Sequence, residues 1–535
     1  MKKKILLISL VFFQFFANAQ QDAWIYLIDK ENVQALIQNP TLILSQRAID
    51  RKNSHGILID ERDVPVNESY IAQLKTQNGI VVMAKSKWFN AVHVRGIETD
   101  INSLLNLNFV DHIDFADKSL NARIVLQNNK FEIEEELLDF SYGNTQNQVE
   151  MINVDALHLD DYTGEGIVIA VIDAGFTNVN TMEAFDRLRA NNDLLNGYDF
   201  VDRNADVYAY MGNSHGTKVL STMAGFVQDN YVGTAPDASY YLFRTEDASS
   251  ENPVEESYWV EAAERADSLG VNIINTSLGY TTYDNSSYSY TTNDMDGQTA
   301  FISRGADIAS EKGMLVVSSA GNSGNGTWQI VGAPADAANV LSIGAVDEDG
   351  AYASFSSRGS FMQPTQKPDV VAKGANSAVI NENNSIVTNN GTSFSSPIIA
   401  GGIACLWQAL PDATNEEIKQ YVRMSATQYE TPDFFLGFGI PDLAIAYNIG
   451  LSLQEPEVFE FNVFPNPVID ILNVHVPSHI ENTSLIIYDI LGKAVFRDAL
   501  TSAINFIDMS SIASGVYIMS FESSEASKTF KLIKS

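Results

Sequence analysis

Cysteine is almost absent from this chain: Cys405 is the single one in 535 residues. An intramolecular disulfide is excluded, so the fold rests on packing. Cys405 lies in the apolar run from Ile398 to Leu406, where a buried structural thiol is expected rather than a nucleophile. Basic residues are scarce, 33 against 67 acidic ones, for a formal net charge of -34. A field of that sign repels phosphate backbones and argues against nucleic acid as a partner. Long hydrophobic runs are missing too. The apolar N-terminal stretch from Ile5 to Phe16 is shorter than the roughly 20 residues that span a bilayer, so no transmembrane segment is expected. Histidine is rare at seven residues. His55, His93, His112, His475 and His479 lie in the outer regions, which leaves His158 and His215 for chemistry in the middle of the chain.

What is present organises the rest. At 45% hydrophobic and 10% aromatic, the chain can build a large core. Its length exceeds the roughly 250–300 residues of a single core, so two or three domains are expected. Lys2 to Lys4, the apolar stretch and Ala17-Asn18-Ala19 form an export signal over 1–19, with Gln20 as the new terminus. Residues 20–145 read as a small α+β unit, with strands at 24–28, 79–83 and 91–94 and a helix around 71–74. The acidic run 131–139 begins a connector. Over 146–450, apolar runs at 166–172, 271–275, 314–318 and 340–344 alternate with helical stretches such as 254–269 and 299–312. Such runs fit strands buried on both faces of a parallel sheet, which predicts a doubly wound α/β domain. Residues 458–535 carry short strands at 472–476, 485–488, 516–521 and 529–533 without a long helix, which predicts a small β-sandwich.

Parallel α/β sheets place their sites at the C-terminal ends of the strands. Asp173 closes the first buried run, and Asn322 follows the third within Ala320-Gly321-Asn322. Ser393 opens the apolar helix after Gly391-Thr392. Orphan N–H groups and the positive dipole end at a helix start favour an alkoxide-like nucleophile and a neighbouring oxyanion. Serine needs a base, and His215 stands in the glycine turn Ser214-His215-Gly216, whereas His158 has no comparable setting. Taken singly, Asp173 and Ser393 read as helix caps and Asn322 as a turn residue. Their joint occurrence in one domain, each flanked by glycine, is the stronger signal.

The blocks Val171-Ile172-Asp173-Ala174-Gly175, His215-Gly216-Thr217, Ser277-Leu278-Gly279, Ala320-Gly321-Asn322 and Gly391-Thr392-Ser393-Phe394-Ser395-Ser396-Pro397 resemble, in kind and order, the signatures of the subtilisin-like serine proteases (subtilases). The resemblance covers about residues 150 to 450. It implies a secreted serine endopeptidase that cuts proteins or peptides through an acyl-enzyme on Ser393. It further implies His215 as base, Asp173 as its orienting carboxylate, and Asn322 with the Ser393 N–H as oxyanion donors. Ser277, Leu278 and Gly279 would pair with the substrate backbone, and Gly332 would form the floor of a P1 pocket open to a large apolar residue. Ala174 departs from the hydroxyl residue common in the family. No catalytic cofactor is implied. Structural calcium is compatible with the family, but Asp294-Met295-Asp296-Gly297 supplies only part of a calcium loop. The insertion from Tyr280 to Gly297 reads either as a shaper of further subsites or as a solvated loop.

The flanks add two resemblances. Leu44 to Ile49 and Ser86 to Val92 resemble the prodomain of one subtilase subgroup, which implies that 20–145 assists folding and blocks the cleft until it is cut. The cut is expected between Asp139 and Gln148. Phe464-Pro465-Asn466-Pro467, Tyr488 to Gly492, Gly515-Val516-Tyr517 and Lys531 to Lys534 resemble the C-terminal sorting domain of the type IX (gliding-associated) secretion system of Bacteroidetes. That implies export by this machinery to the medium or the cell surface. An α/β-hydrolase is disfavoured, because it needs Gly-x-Ser-x-Gly with the serine first in the order. A binding protein on an inactive protease scaffold is disfavoured because every catalytic residue type is present.

Overall fold

The computed structural model describes residues 20–118, 120, 143–453, 462–475, 483–490, 492–500, 504–522 and 527–535. The expected export signal and the acidic run 131–139 lie outside the described residues. The chain divides into two units, Met1–Leu451 and Ser452–Ser535.

The first unit begins with strands β1 (Gln20–Leu27), β2 (Val81–Ser86), β3 (Ala91–Ile97) and β4 (Val110–Phe115). They form an antiparallel sheet in the order β2-β3-β1-β4. Helix α1 spans Gln46–Ser54, and helix α2 spans Glu68–Lys75. Asn67 caps α2 by accepting from the Ser69 and Tyr70 amides. Ile71 and Leu74 of α2 bury with Ile25, Val92 and Val94 of the sheet. The α+β prediction for this region holds.

The larger part of the unit is a seven-stranded sheet whose neighbouring strands pair in parallel. Its strands are β5 (Val168–Asp173), β6 (Tyr198–Asp199), β7 (Ser239–Arg244), β8 (Ile273–Thr276), β9 (Leu315–Ser319), β10 (Leu341–Val346) and β11 (Val370–Lys373). The spatial order is β11-β10-β9-β8-β5-β7-β6. Every residue of β5 is buried. Ile169 and Val171 join one core, with helices α3 (His215–Ala224) and α6 (Thr392–Ala409). Ala170 and Ile172 join the other, with α4 (Val254–Leu269) and α5 (Phe301–Glu311). Two-sided burial is why these strands are apolar without alternation. The order reverses beside β5, so a crevice opens at its C-terminal end. Cys405 is buried within α6 with its sulfur 3.1 Å from the Thr234 carbonyl, as a structural thiol. Among the described residues no helix is long and apolar enough to cross a membrane.

The small N-terminal domain sits on α4 and α5. The Glu264 carboxylate accepts from Ser86 Oγ at 2.6 Å and from the Lys87 and Trp88 amides at 3.0 Å. Arg51 and Lys52 of α1 reach Asp267 at 2.5 and 2.9 Å. Lys312 donates to Asp60 and Asp63 at 2.9 Å.

The second unit has two sheets. One pairs β12 (Asn462–Phe464), β13 (Ile471–His475) and β16 (Ile504–Asp508). The other has the order β15-β14-β17-β18, from Ala494–Leu500, Thr483–Asp489, Gly515–Glu522 and Ser527–Lys534 respectively. Leu472, Val474, Leu485, Ile487, Met519 and Phe521 fill the space between, which is the expected sandwich.

Burial raises the Asp267 pKa, but Arg51 and Lys52 outweigh it and hold the carboxyl below its ordinary value. A carboxyl lowered on folding stabilises above its unfolded pKa and loses that stabilisation as pH falls. The thermal midpoint of the full, uncut chain should therefore drop below about pH 4. Asp267→Asn should lower the midpoint at pH 7 and flatten this acid limb. Identical limbs in differential scanning calorimetry would contradict the assignment.

Candidate active site

Asp173 is the last residue of β5 and is fully buried. Its Oδ1 accepts from the Ala174 amide and faces His215 Nδ1, each at 2.7 Å. The approach depends on a glycine. A Cβ on Gly216 would stand 2.6 Å from the Gly175 carbonyl and 3.0 Å from Asp173 Cβ, so only glycine lets the start of α3 come this close to β5. Asn213 Oδ1 accepts the His215 N–H at 2.8 Å. The Thr177 hydroxyl holds the Asn213 carbonyl at 2.9 Å, and the Thr217 hydroxyl holds the Thr177 carbonyl at 2.9 Å. The imidazole therefore sits on a pinned turn. Its ring lies 6.0 Å, centroid to centroid, from that of Phe394, the residue after Ser393.

Ser393 is the second residue of α6. Pro397 lies inside this helix and has no N–H to offer the carbonyl four residues back. That carbonyl belongs to Ser393, and Ser277 Oγ donates to it at 2.9 Å instead. In return the Ser393 hydroxyl faces the Ser277 carbonyl at 3.5 Å. The edge Ser277-Leu278-Gly279 is thus joined directly to the helix start. Asn322 stands on the other side. Its Oδ1 accepts from the Thr392 amide and hydroxyl, both at 2.9 Å, which leaves the NH2 end as its free-facing donor. Gly391 has φ 149°, a backbone state that L side chains rarely adopt, and a Cβ there would lie 3.5 Å from Asn322 Nδ2. The side-chain amide and the first turn of α6 therefore share one small space.

Gly332 is buried beside this edge, since Tyr280 and Ala333 exchange backbone hydrogen bonds at 2.8 and 3.3 Å. The insertion Tyr280 to Gly297 is not a solvated loop: Tyr280, Tyr283, Tyr288, Tyr290 and Met295 are all buried. Burial raises the pKa of Tyr280, Tyr283 and Tyr290 well above the ordinary phenol value, with Glu246 acting on the first and Glu256 on the other two. The phenols stay neutral and donate to these carboxylates. Asp294 and Asp296 act as turn caps. Asp294 accepts from the Thr291 amide at 2.7 Å, and Asp296 from the Gln298 and Thr299 amides at 2.9 and 2.8 Å. His158 bonds the Thr234 carbonyl at 3.0 Å, away from this cluster. The sequence reading passed over Thr392, Asn213 and Pro397 as working parts. Their signal was local all along, since each lies within four residues of Ser393 or His215.

A parallel α/β domain with these groups at its strand ends is that of a serine endopeptidase. The model of the subtilase family matches residues 164–439, and the chain belongs to that family. Residues 22–133 match the peptidase S8 propeptide domain of Bacteroidota, and residues 462–535 match the secretion system C-terminal sorting domain. The chain is 30% identical to subtilisin E of Bacillus subtilis over 300 residues, which is 56% of this chain and 70% of that protein. It is 27% identical to subtilisin Savinase of Lederbergia lenta over 288 residues, covering 54% of this chain and 93% of that protein. A crystal structure of the epidermin leader peptide processing serine protease from Staphylococcus aureus shares the fold, with a TM-score of 0.53 at 16% identity, over 82% of this chain and all of that one. The protein is thus a secreted serine endopeptidase of the subtilase family, made with a propeptide and a sorting domain.

Gly216→Ala should force α3 away from β5. We expect at least a tenfold loss of kcat, together with an overpacking cost of about 1–3 kcal/mol in thermal unfolding. Unchanged kcat would show that the close approach does not serve catalysis.

Proposed function

We propose that Ser393 is the nucleophile, His215 the general base and acid, Asp173 its orienting carboxylate, and Asn322 with the Ser393 N–H the oxyanion donors. The observation that carries this is the 2.7 Å contact between the buried Asp173 carboxylate and His215 Nδ1. It keeps the ring proton on Nδ1, so that Nε2 is the basic nitrogen. Ser393 Oγ attacks the scissile carbonyl carbon while His215 takes its proton. The tetrahedral oxyanion is held by Asn322 Nδ2 and the Ser393 amide. His215 then protonates the leaving amine, and the acyl-enzyme forms. Water enters by the same route in reverse and frees the acid. Ser277, Leu278 and Gly279 lie alongside the substrate backbone, and Gly332 floors a P1 pocket that takes a large apolar side chain.

We also propose that the N-terminal domain inhibits its own enzyme until cut, and that the cut, expected between Asp139 and Gln148, falls in the upstream part of that range, before Gly143. The packing of the next residues supports the downstream limit. Asn144 N–H bonds the Asn230 carbonyl, and Gln148 exchanges two hydrogen bonds with Ala378 at 2.9 and 3.2 Å. Loss of these residues would unpick the catalytic domain. Sequencing the N-terminus of secreted, active enzyme tests this: a start at Gln20 contradicts it. Export would use the signal 1–19 and then the type IX machinery, which reads the C-terminal unit. We assign no calcium to Asp294 or Asp296, whose oxygens already serve as caps.

Secreted protein should cleave casein, and Ser393→Ala should lose about 10⁶-fold in kcat. Asn322→Ala should lose about 10²–10³-fold in kcat with little change in KM. Equal cleavage by parent and Ser393→Ala would assign the nucleophile elsewhere.

A further inference from the structure

A cavity of about 320 Å³ lies between the N-terminal domain and the insertion that follows Gly279. Lys118 enters it just beyond β4. Its Nζ stands 4.0 Å above the centre of the Tyr290 ring and 3.4 Å from Asp294 Oδ2. Tyr290 is held for this role. Its hydroxyl donates to Glu256 at 2.7 Å, Tyr283 donates to the same carboxylate oxygen, and Ile302 N–H holds the other oxygen at 2.9 Å. Glu256 is itself fully buried. The ring face is thus fixed toward the cation, with carboxylates on two sides of it. Arg304 also lines the cavity, but its guanidinium is turned onto the Phe89 and Phe301 rings at 5.2 and 5.6 Å.

We propose that the Tyr290–Asp294 pocket is a substrate subsite selective for a lysine side chain several residues from the scissile bond, filled in the precursor by Lys118. This rests on the endopeptidase reading of Ser393 given above. The insertion connects the pocket to the cleft. Ser277 touches Ser393, the edge runs through Gly279 into Tyr280, and Thr281 accepts the Tyr290 N–H at 2.9 Å. An extended peptide rises roughly 3.3 Å per residue, so one lying on this edge reaches Tyr290 about four to six residues from the bond being cut. A cation there gains both the ring face and the Asp294 carboxylate. The net charge of -34 also draws cationic peptides toward the enzyme. Most of the pocket wall, including Glu256, Tyr283, Tyr290 and Phe301, belongs to the catalytic domain and stays with it after the N-terminal domain leaves.

The test uses the processed enzyme and internally quenched peptides with one fixed scissile bond. A single lysine is walked through six positions on either side of that bond, and each peptide is paired with its norleucine counterpart. We expect the lysine-to-norleucine ratio of kcat/KM to rise roughly five- to tenfold at one position four to six residues from the bond. Asp294→Asn, which keeps an oxygen for the Thr291 cap, and Tyr290→Leu should each bring that ratio toward one. A ratio near one at every position, with the peptides still cleaved, overturns the subsite and leaves the protease reading standing. A raised ratio that both variants retain also overturns it. Failure to cleave any peptide overturns the protease reading and the subsite with it.

Discussion

The contact between Asp173 and His215 sets the terms for the rest of the catalytic domain. A carboxylate with no exposure needs a partner, and here the partner is the His215 ring, the proposed base. Bringing the two together requires a strand that ends at Asp173, a helix that starts at His215 and no side chain between them. Gly216 supplies the gap, and Asn213 and Thr177 lock the turn. The second half of the site is built the same way, from a helix start. There Pro397 strips the Ser393 carbonyl of its helical donor, and Ser277 takes the vacancy. The edge Ser277-Leu278-Gly279, proposed to face substrate, is therefore tied to Ser393, the proposed nucleophile, by the backbone chemistry of one proline.

The N-terminal domain is held by charges that the catalytic domain buries for it. Glu264 receives two backbone amides and one hydroxyl, and Asp267 receives Arg51 and Lys52. Removing one member of such a buried pair is costly, because the other is left charged in a dry place. Departure of the whole domain is different, since both sides regain water. An interface built this way is tight while the chain is whole and separable once it is cut. That is the behaviour a propeptide needs.

The parts legible in the sequence were those whose cause is local. The run ending at Asp173 is apolar throughout because both faces are covered, and the helix predicted at 254–269 ends at Gly270, which adopts φ 83°. The candidate site residues stand out in the sequence because each sits in a turn whose glycines are close in sequence. β4, with the sequence VDHIDF, was not legible, because it is an edge strand with polar residues turned outward. β7 was missed for a related reason, since Ser239 and Tyr241 are only half-buried. The sequence leaves the insertion after Gly279 open between a subsite shaper and a solvated loop, yet its tyrosines are buried, because Glu246 and Glu256 satisfy three of them from a distant segment. Likewise Glu264 looks like a solvated helix residue until Ser86 to Trp88 are laid on it. Partners far apart in sequence leave no pattern to read.

The most direct test of the account is to label the secreted protein with a fluorophosphonate, which traps only a serine activated by its base, and to map the adduct by peptide mass spectrometry. The account predicts a single adduct on Ser393, lost in His215→Ala and strongly slowed in Asp173→Asn. An adduct on another serine, or labelling of Ser393 at the same rate without His215, would contradict it.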